Sequence, residues 1–108
     1  MVEPGLDKHE WESLWQQLEE DVETAPAEAL PELDRLVERM LVARGYAIDD
    51  PVVREGDDRD IVAQFLAARE ITRLVERGAE GVSPGDVAAA VNGYRSLHDY
   101  LIVERAPP

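Results

Sequence analysis

Apolar residues recur along this chain at the three- and four-residue steps of a helix, and each run is cut off by proline or glycine. That pattern constrains the fold more than any other feature, because a 3.6-residue period buries one stripe of a helix and leaves the rest in water. In the first run Trp11, Leu14, Trp15, Leu18 and Val22 share a face between about Asp7 and Thr24. Asp7 is placed to cap its start, with Glu10 as its capping-box partner. Glu10, Glu12, Glu19, Glu20, Asp21 and Glu23 make its outer face acidic.

Thr24-Ala25-Pro26 breaks the period, and a second helix runs to about Arg44 on Leu30, Leu33, Leu36, Val37, Met40 and Leu41. Proline suits a first helical turn, where its missing N–H has no partner to lose. Either Pro26 opens this helix and Pro31 kinks it, or Pro31 opens it and Pro26 belongs to the linker. Gly45 stands where a left-handed C-cap is expected. Residues 46–57 show loop chemistry (Asp49, Asp50, Pro51, Glu55, Gly56), with Val52 and Val53 as anchors for a short extra helix. A third helix spans about Asp58 to Arg77, with Ile61, Phe65, Ala68, Thr72 and Val75 inward, widened by Val62, Leu66 and Leu74. It is expected to be the most buried. Gly78 ends it.

Ser83-Pro84-Gly85-Asp86 is the sharpest local signal, combining N-cap, first-turn proline and capping-box acid. The helix that follows runs to about Val103 and points Val87, Ala90, Val91, Tyr94, Leu97, His98 and Leu101 inward. Small residues (Ala88, Ala89, Ala90, Gly93) allow a neighbouring helix to approach closely. No strand candidate competes, since Leu101-Ile102-Val103 continues the helical period. The expected architecture is all-α: a four-helix bundle-like single domain over residues 1–108, with 1–6 and 104–108 frayed.

Composition narrows function by exclusion. The chain has 24 acidic against 11 basic residues and a formal net charge of -13. Nucleic acid and anionic membrane surfaces are therefore not expected partners, whereas a basic protein is. The plain alternative is that the charge serves solubility. Without cysteine there are no disulfides or thiolate metal sites. The N-terminus lacks the basic and apolar regions of a signal peptide, and no apolar run approaches the roughly 20 residues of a membrane span. A cytoplasmic protein is expected.

Motifs for catalysis are sparse. Neither His9 nor His98 has the Glu three residues before it that a di-iron bundle requires. The acids from Asp49 to Asp60 lack calcium-loop spacing. Ser83 reads as a cap, and Ser96 lies near His98 on one helix with no orienting acid. Gly78, Gly81 and Gly85 come without the Gly-Lys-Ser/Thr of a phosphate loop. No catalytic residue, cofactor or metal is expected. The one speculative ligand cluster is Arg44, Tyr46, Tyr94, Arg95 and His98, which meet only if the end of the second helix lies beside the middle of the fourth. The stripe of Trp11, Leu14, Trp15 and Leu18 has two readings: the core of this chain, or an interface to another copy or protein.

Several segments together resemble a known family. They are W-x-x-L (Trp11 to Leu14), P-x-x-A-L (Pro26 to Leu30), L-V-x-x-M-L-x-x-R-G-Y (Leu36 to Tyr46) and S-P-G-D-V-x-x-A-x-x-x-Y-R-x-L (Ser83 to Leu97). In that order the chain resembles a family of small acidic proteins of high-GC Gram-positive bacteria. The likeness covers nearly the whole chain and implies the helical fold. It brings no activity, cofactor or catalytic residue. His98 departs from the family pattern, which favours an apolar aromatic there.

Three functions are thus open. The first is a non-enzymatic helical interaction module, self-associating as a homodimer through the tryptophan stripe. The second is an acidic adaptor or regulator that binds a basic protein. The third is a small ligand-binding protein or enzyme built on the Arg/Tyr/His cluster.

Overall fold

The computed structural model describes residues 8–46, 48 and 56–103. Four α-helices follow one another: α1 (Lys8–Thr24), α2 (Pro26–Ala43), α3 (Gly56–Glu76) and α4 (Pro84–Ile102). The described residues contain no strand. The all-α, four-helix reading holds.

Local chemistry explains most of the helix ends. α4 begins with the reciprocal capping box: Ser83 Oγ accepts from the Asp86 N–H at 3.0 Å, and the Ser83 N–H donates to Asp86 Oδ2 at 3.0 Å. Gly45 and Gly78 leave α2 and α3 with φ of +91° and +70°, a region that side chains with a Cβ resist. Pro26 is the first residue of α2, and the helix continues through Pro31. Pro26 is therefore not a linker residue; Pro31 simply removes the N–H that would reach the Ala27 carbonyl. The Asp7 cap, the short helix at Val52 and Val53, and the frayed ends 1–6 and 104–108 all lie outside the described residues.

Side-chain pairs set the packing. Trp15 stacks on His98 and Glu19 pairs with Arg95, so α1 runs antiparallel to α4. Tyr94 reaches Asp34 and Arg44 reaches the Leu101 carbonyl, so α2 and α4 run parallel. The chain goes up, down, up, down, but the bundle is squashed along one diagonal. The α2–α4 pair is in direct contact, while α1 and α3 flank it on opposite sides and hardly meet.

This arrangement corrects one expectation. The most buried helix is α2, not α3: Ala29, Leu30, Leu33, Asp34, Leu36, Val37, Met40 and Leu41 are all buried, against Val62, Phe65, Ala68 and Thr72 in α3. α2 meets all three other helices and shares the short diagonal with α4, whereas α3 hardly meets α1. Gly93 behaves as its size suggests: a Cβ there would stand 3.6 Å from Ala68 Cβ, so α3 and α4 approach at van der Waals contact.

Candidate interaction surface

Two polar clusters lock the helices together, and neither was apparent as a site in the sequence. In the first, Asp34 of α2 is buried (7% exposed) on the apolar stripe between Leu33 and Val37. Arg69 of α3 grips it with two bonds, Nε to Oδ2 at 3.0 Å and Nη2 to Oδ1 at 2.7 Å, and also pairs with Glu38. The Tyr94 hydroxyl donates to Asp34 Oδ2 at 2.8 Å and lies 2.6 Å from Thr72 Oγ1. Proton bookkeeping orders the chain. Tyr94 has one proton and gives it to the carboxylate, so Thr72 donates to Tyr94 when the two are bonded, and otherwise to the Ala68 carbonyl at 3.0 Å.

The electrostatics agree with that order. Burial is the main cause that pushes the Tyr94 phenol above its ordinary range, and the bond from Thr72 opposes it. The Asp34 hydrogen bonds raise Arg69 further above an already high value. The Arg69 guanidinium also lies 4.5 Å from the Phe65 ring centre. Every member is satisfied, and none of the grooves described below is lined by Asp34, Thr72 or Tyr94. A satisfied network whose carboxylate and hydroxyls are buried positions the three helices against one another.

The second cluster joins α1 to α4. Arg95 donates from Nε to Glu19 Oε2 at 3.2 Å and from Nη2 to Oε1 at 2.9 Å, and Trp15 Nε1 donates to the same carboxylate at 2.6 Å. Beneath it the Trp15 and His98 rings stack at 4.5 Å and 21°. The Arg95 hydrogen bonds hold the Glu19 carboxyl below the usual carboxylate range, against the opposing effect of burial. A depressed folded-state pKa means the pair stabilises the fold above the ordinary Glu value, and that contribution fades as pH falls through the depressed one. In acid titrations followed by thermal unfolding, Glu19→Gln should therefore show a shallower loss of stability than the parent below about pH 5. Equal slopes would remove Glu19 from the acid response.

These contacts bear on the tryptophan stripe and on the ligand cluster. Trp11 and Trp15 are 2% and 6% exposed within a single chain, and Leu14 and Leu18 pack partly buried against the same core. The stripe is spent inside the fold, because α1 has nothing else with which to cover its apolar face. Of the two readings, the burial of both tryptophans favours the core. The ligand cluster is likewise divided. Tyr94 turns toward Asp34 and Thr72, Arg95 toward Glu19, and His98 lies flat on Trp15. Arg44 donates to the Leu101 carbonyl from Nε and Nη2 at 3.2 and 2.9 Å and covers the Trp11 ring at 4.8 Å. It thereby brings from α2 the positive charge that the last turn of α4 lacks. Tyr46 packs, half-buried, at the core edge. Arg95 points away from Tyr94 because successive helical residues are rotated by about 100°, whereas Tyr94 and His98, one turn apart on the same face, meet different helices.

Among the described residues two buried nitrogens have no hydrogen-bond partner, Trp11 Nε1 and His98 Nε2. His98 Nδ1 lies 3.4 Å from Asp99 Oδ1. Among the described residues no group of three or more His, Asp or Glu is arranged to hold a metal ion. No described helix is long and apolar enough to cross a membrane.

What the fold leaves open is an apolar groove of about 610 Å³ at the end where α1 turns into α2. One wall is Val22, Ala25, Pro26 and Ala27, with Glu28; the other is Val82 and the α4 face that carries Val87, Ala88 and Val91 and ends at Arg95. The α4 residues at the groove fall at positions 84, 87, 88, 91, 92 and 95, which is the spacing of a buried helical stripe. Of these residues the sequence pattern places only Val87 and Val91 in the core and reads Ala88 as a small residue that lets a neighbouring helix approach closely. No family model, curated protein or solved structure matches this chain.

Proposed function

We propose that this protein is a non-enzymatic interaction module that binds a basic protein partner. The observation that carries the reading is the outer face of α1. Beyond Lys8 this helix has no lysine or arginine, and Glu20, Asp21 and Glu23 stand exposed on it. The net charge of -13 extends the same field over the molecule and favours fast encounter with a cationic surface. A self-associating module has less support, since both tryptophans are consumed by the core and two copies would meet with like charge.

The test is calorimetric titration of the full chain with a lysine- and arginine-rich peptide at low and at moderate salt. Screening shortens from about 30 Å at 0.01 M to about 10 Å at 0.1 M, so binding through exposed acids should weaken at least about tenfold across that range. The triple variant Glu20→Lys, Asp21→Lys, Glu23→Lys should weaken it similarly at low salt. Absence of binding at low salt, or an affinity indifferent to both changes, would overturn the reading.

A further inference from the structure

The groove between the α1–α2 turn and the N-terminal half of α4 is shaped like a missing helix. α4 presents two stripes. Ala90, Tyr94, Leu97, His98 and Leu101 enter the core, while Pro84, Val87 and Ala88 face the groove and Val91 borders both. Such a second stripe usually packs on a neighbour. Here α1 meets α4 at Trp15 and Glu19, but near its C-terminal end the wall it offers is only Val22, followed by Ala25 of the turn. From position 84 to position 95 the α4 wall extends about 16 Å at 1.5 Å per residue, the length of three helical turns.

Acids outnumber bases around this trough. Glu28 lines it and Glu23 stands exposed one residue from Val22. Its one lining cation, Arg95, is already gripped by Glu19. The wall is apolar and the rim acidic, which is the complement of an amphipathic helix with a basic polar face.

We infer that this groove receives a three-turn amphipathic helix of the basic partner, apolar side chains inward and lysines or arginines against Glu23 and Glu28. The inference rests on the interaction-module reading and specifies where and in what form the partner binds. Specificity then lies in the spacing of the partner's apolar residues, and the acidic face adds attraction.

The probe is a synthetic helix of about 15 residues with leucines at i, i+3, i+4 and i+7 and lysine or arginine elsewhere, compared with a scramble of identical composition. Binding to the full chain is followed by fluorescence anisotropy. The patterned peptide should bind at least about tenfold more tightly than the scramble. Ala88→Gln puts an uncharged side chain into the groove and should weaken the patterned peptide about tenfold. Ala89→Gln is the control, because Ala89 is exposed next door but lines a different trough, between α3 and α4. Both positions are exposed, so equal thermal melts should confirm that neither variant disturbs the fold. Equal binding of the two peptides, or indifference to Ala88→Gln, would overturn the groove as the docking site; if that binding were still salt-sensitive, the acidic-module reading would stand. Patterned binding that ignores salt but is lost in Ala88→Gln would uphold the groove and sink the acidic reading. No binding of either peptide at low salt would remove both.

Discussion

Asp34→Ala should destabilise the protein by about 3 kcal/mol, near the lower end of what removing one member of a buried ion pair costs. The loss is large because three donors converge on this carboxylate, two from Arg69 and one from Tyr94. Once it is gone, the Arg69 charge stays in a largely covered position (17% side-chain exposure) and the Tyr94 hydroxyl keeps only Thr72. The upper end of the range is not expected, since Arg69 retains Glu38 and some access to water. Tyr94→Phe is the informative companion. It removes one donor, Asp34 keeps both Arg69 bonds, and Thr72 returns to the Ala68 carbonyl, so about 1 kcal/mol is expected. Urea denaturation with an unchanged slope against denaturant is the measurement. A loss under about 1 kcal/mol for Asp34→Ala would show that this network does not hold α2, α3 and α4 together.

Trp11→Ala should cost about 3–5 kcal/mol, the range for emptying a large aromatic site in a core. Trp11 is among the largest fully buried side chains, and its ring also carries the Arg44 guanidinium that caps the end of α4. Trp11→Phe should cost only about 1 kcal/mol. The smaller ring leaves a gap, but the change also removes an indole N–H that is buried without a partner. The two variants separate the competing readings of the tryptophan stripe. A core residue gives a large loss of stability in Trp11→Ala with no change in oligomeric mass. An interface residue would leave the folded chain intact and change its mass by light scattering. The burial of both tryptophans inside one chain predicts the first outcome.

The contrast between what was readable beforehand and what was not follows the range of the interactions. The Ser83–Asp86 box and the left-handed Gly45 and Gly78 are made by groups within a few residues of one another. They act the same way in almost any surrounding, so the four helices and nearly all their ends could be placed from sequence. The Asp34 network left a weaker trace. An acid at an apolar-stripe position of α2, and an arginine one residue from Ala68 on the stripe of α3, are opposite charges set where carbon is expected. Noticing both would have suggested a buried pair, but not which residues formed it.

The sequence alone thus establishes the four long helices, about where most of them start and stop, which face of each is apolar and the strong negative charge of the whole. It does not establish how those apolar faces are shared out. Whether Trp11 and Trp15 are core or interface, whether Tyr94, Arg95 and His98 converge or diverge, and whether the Val87–Ala88–Val91 face is covered all depend on which helix lies opposite. Packing made those decisions: α2 and α4 meet across the short diagonal, α1 folds its stripe down onto them, and too little of α1 remains to close over the beginning of α4. The physical reason is that capping and helical period are local free energies, whereas burial is gained only when residues far apart in the chain choose each other as neighbours.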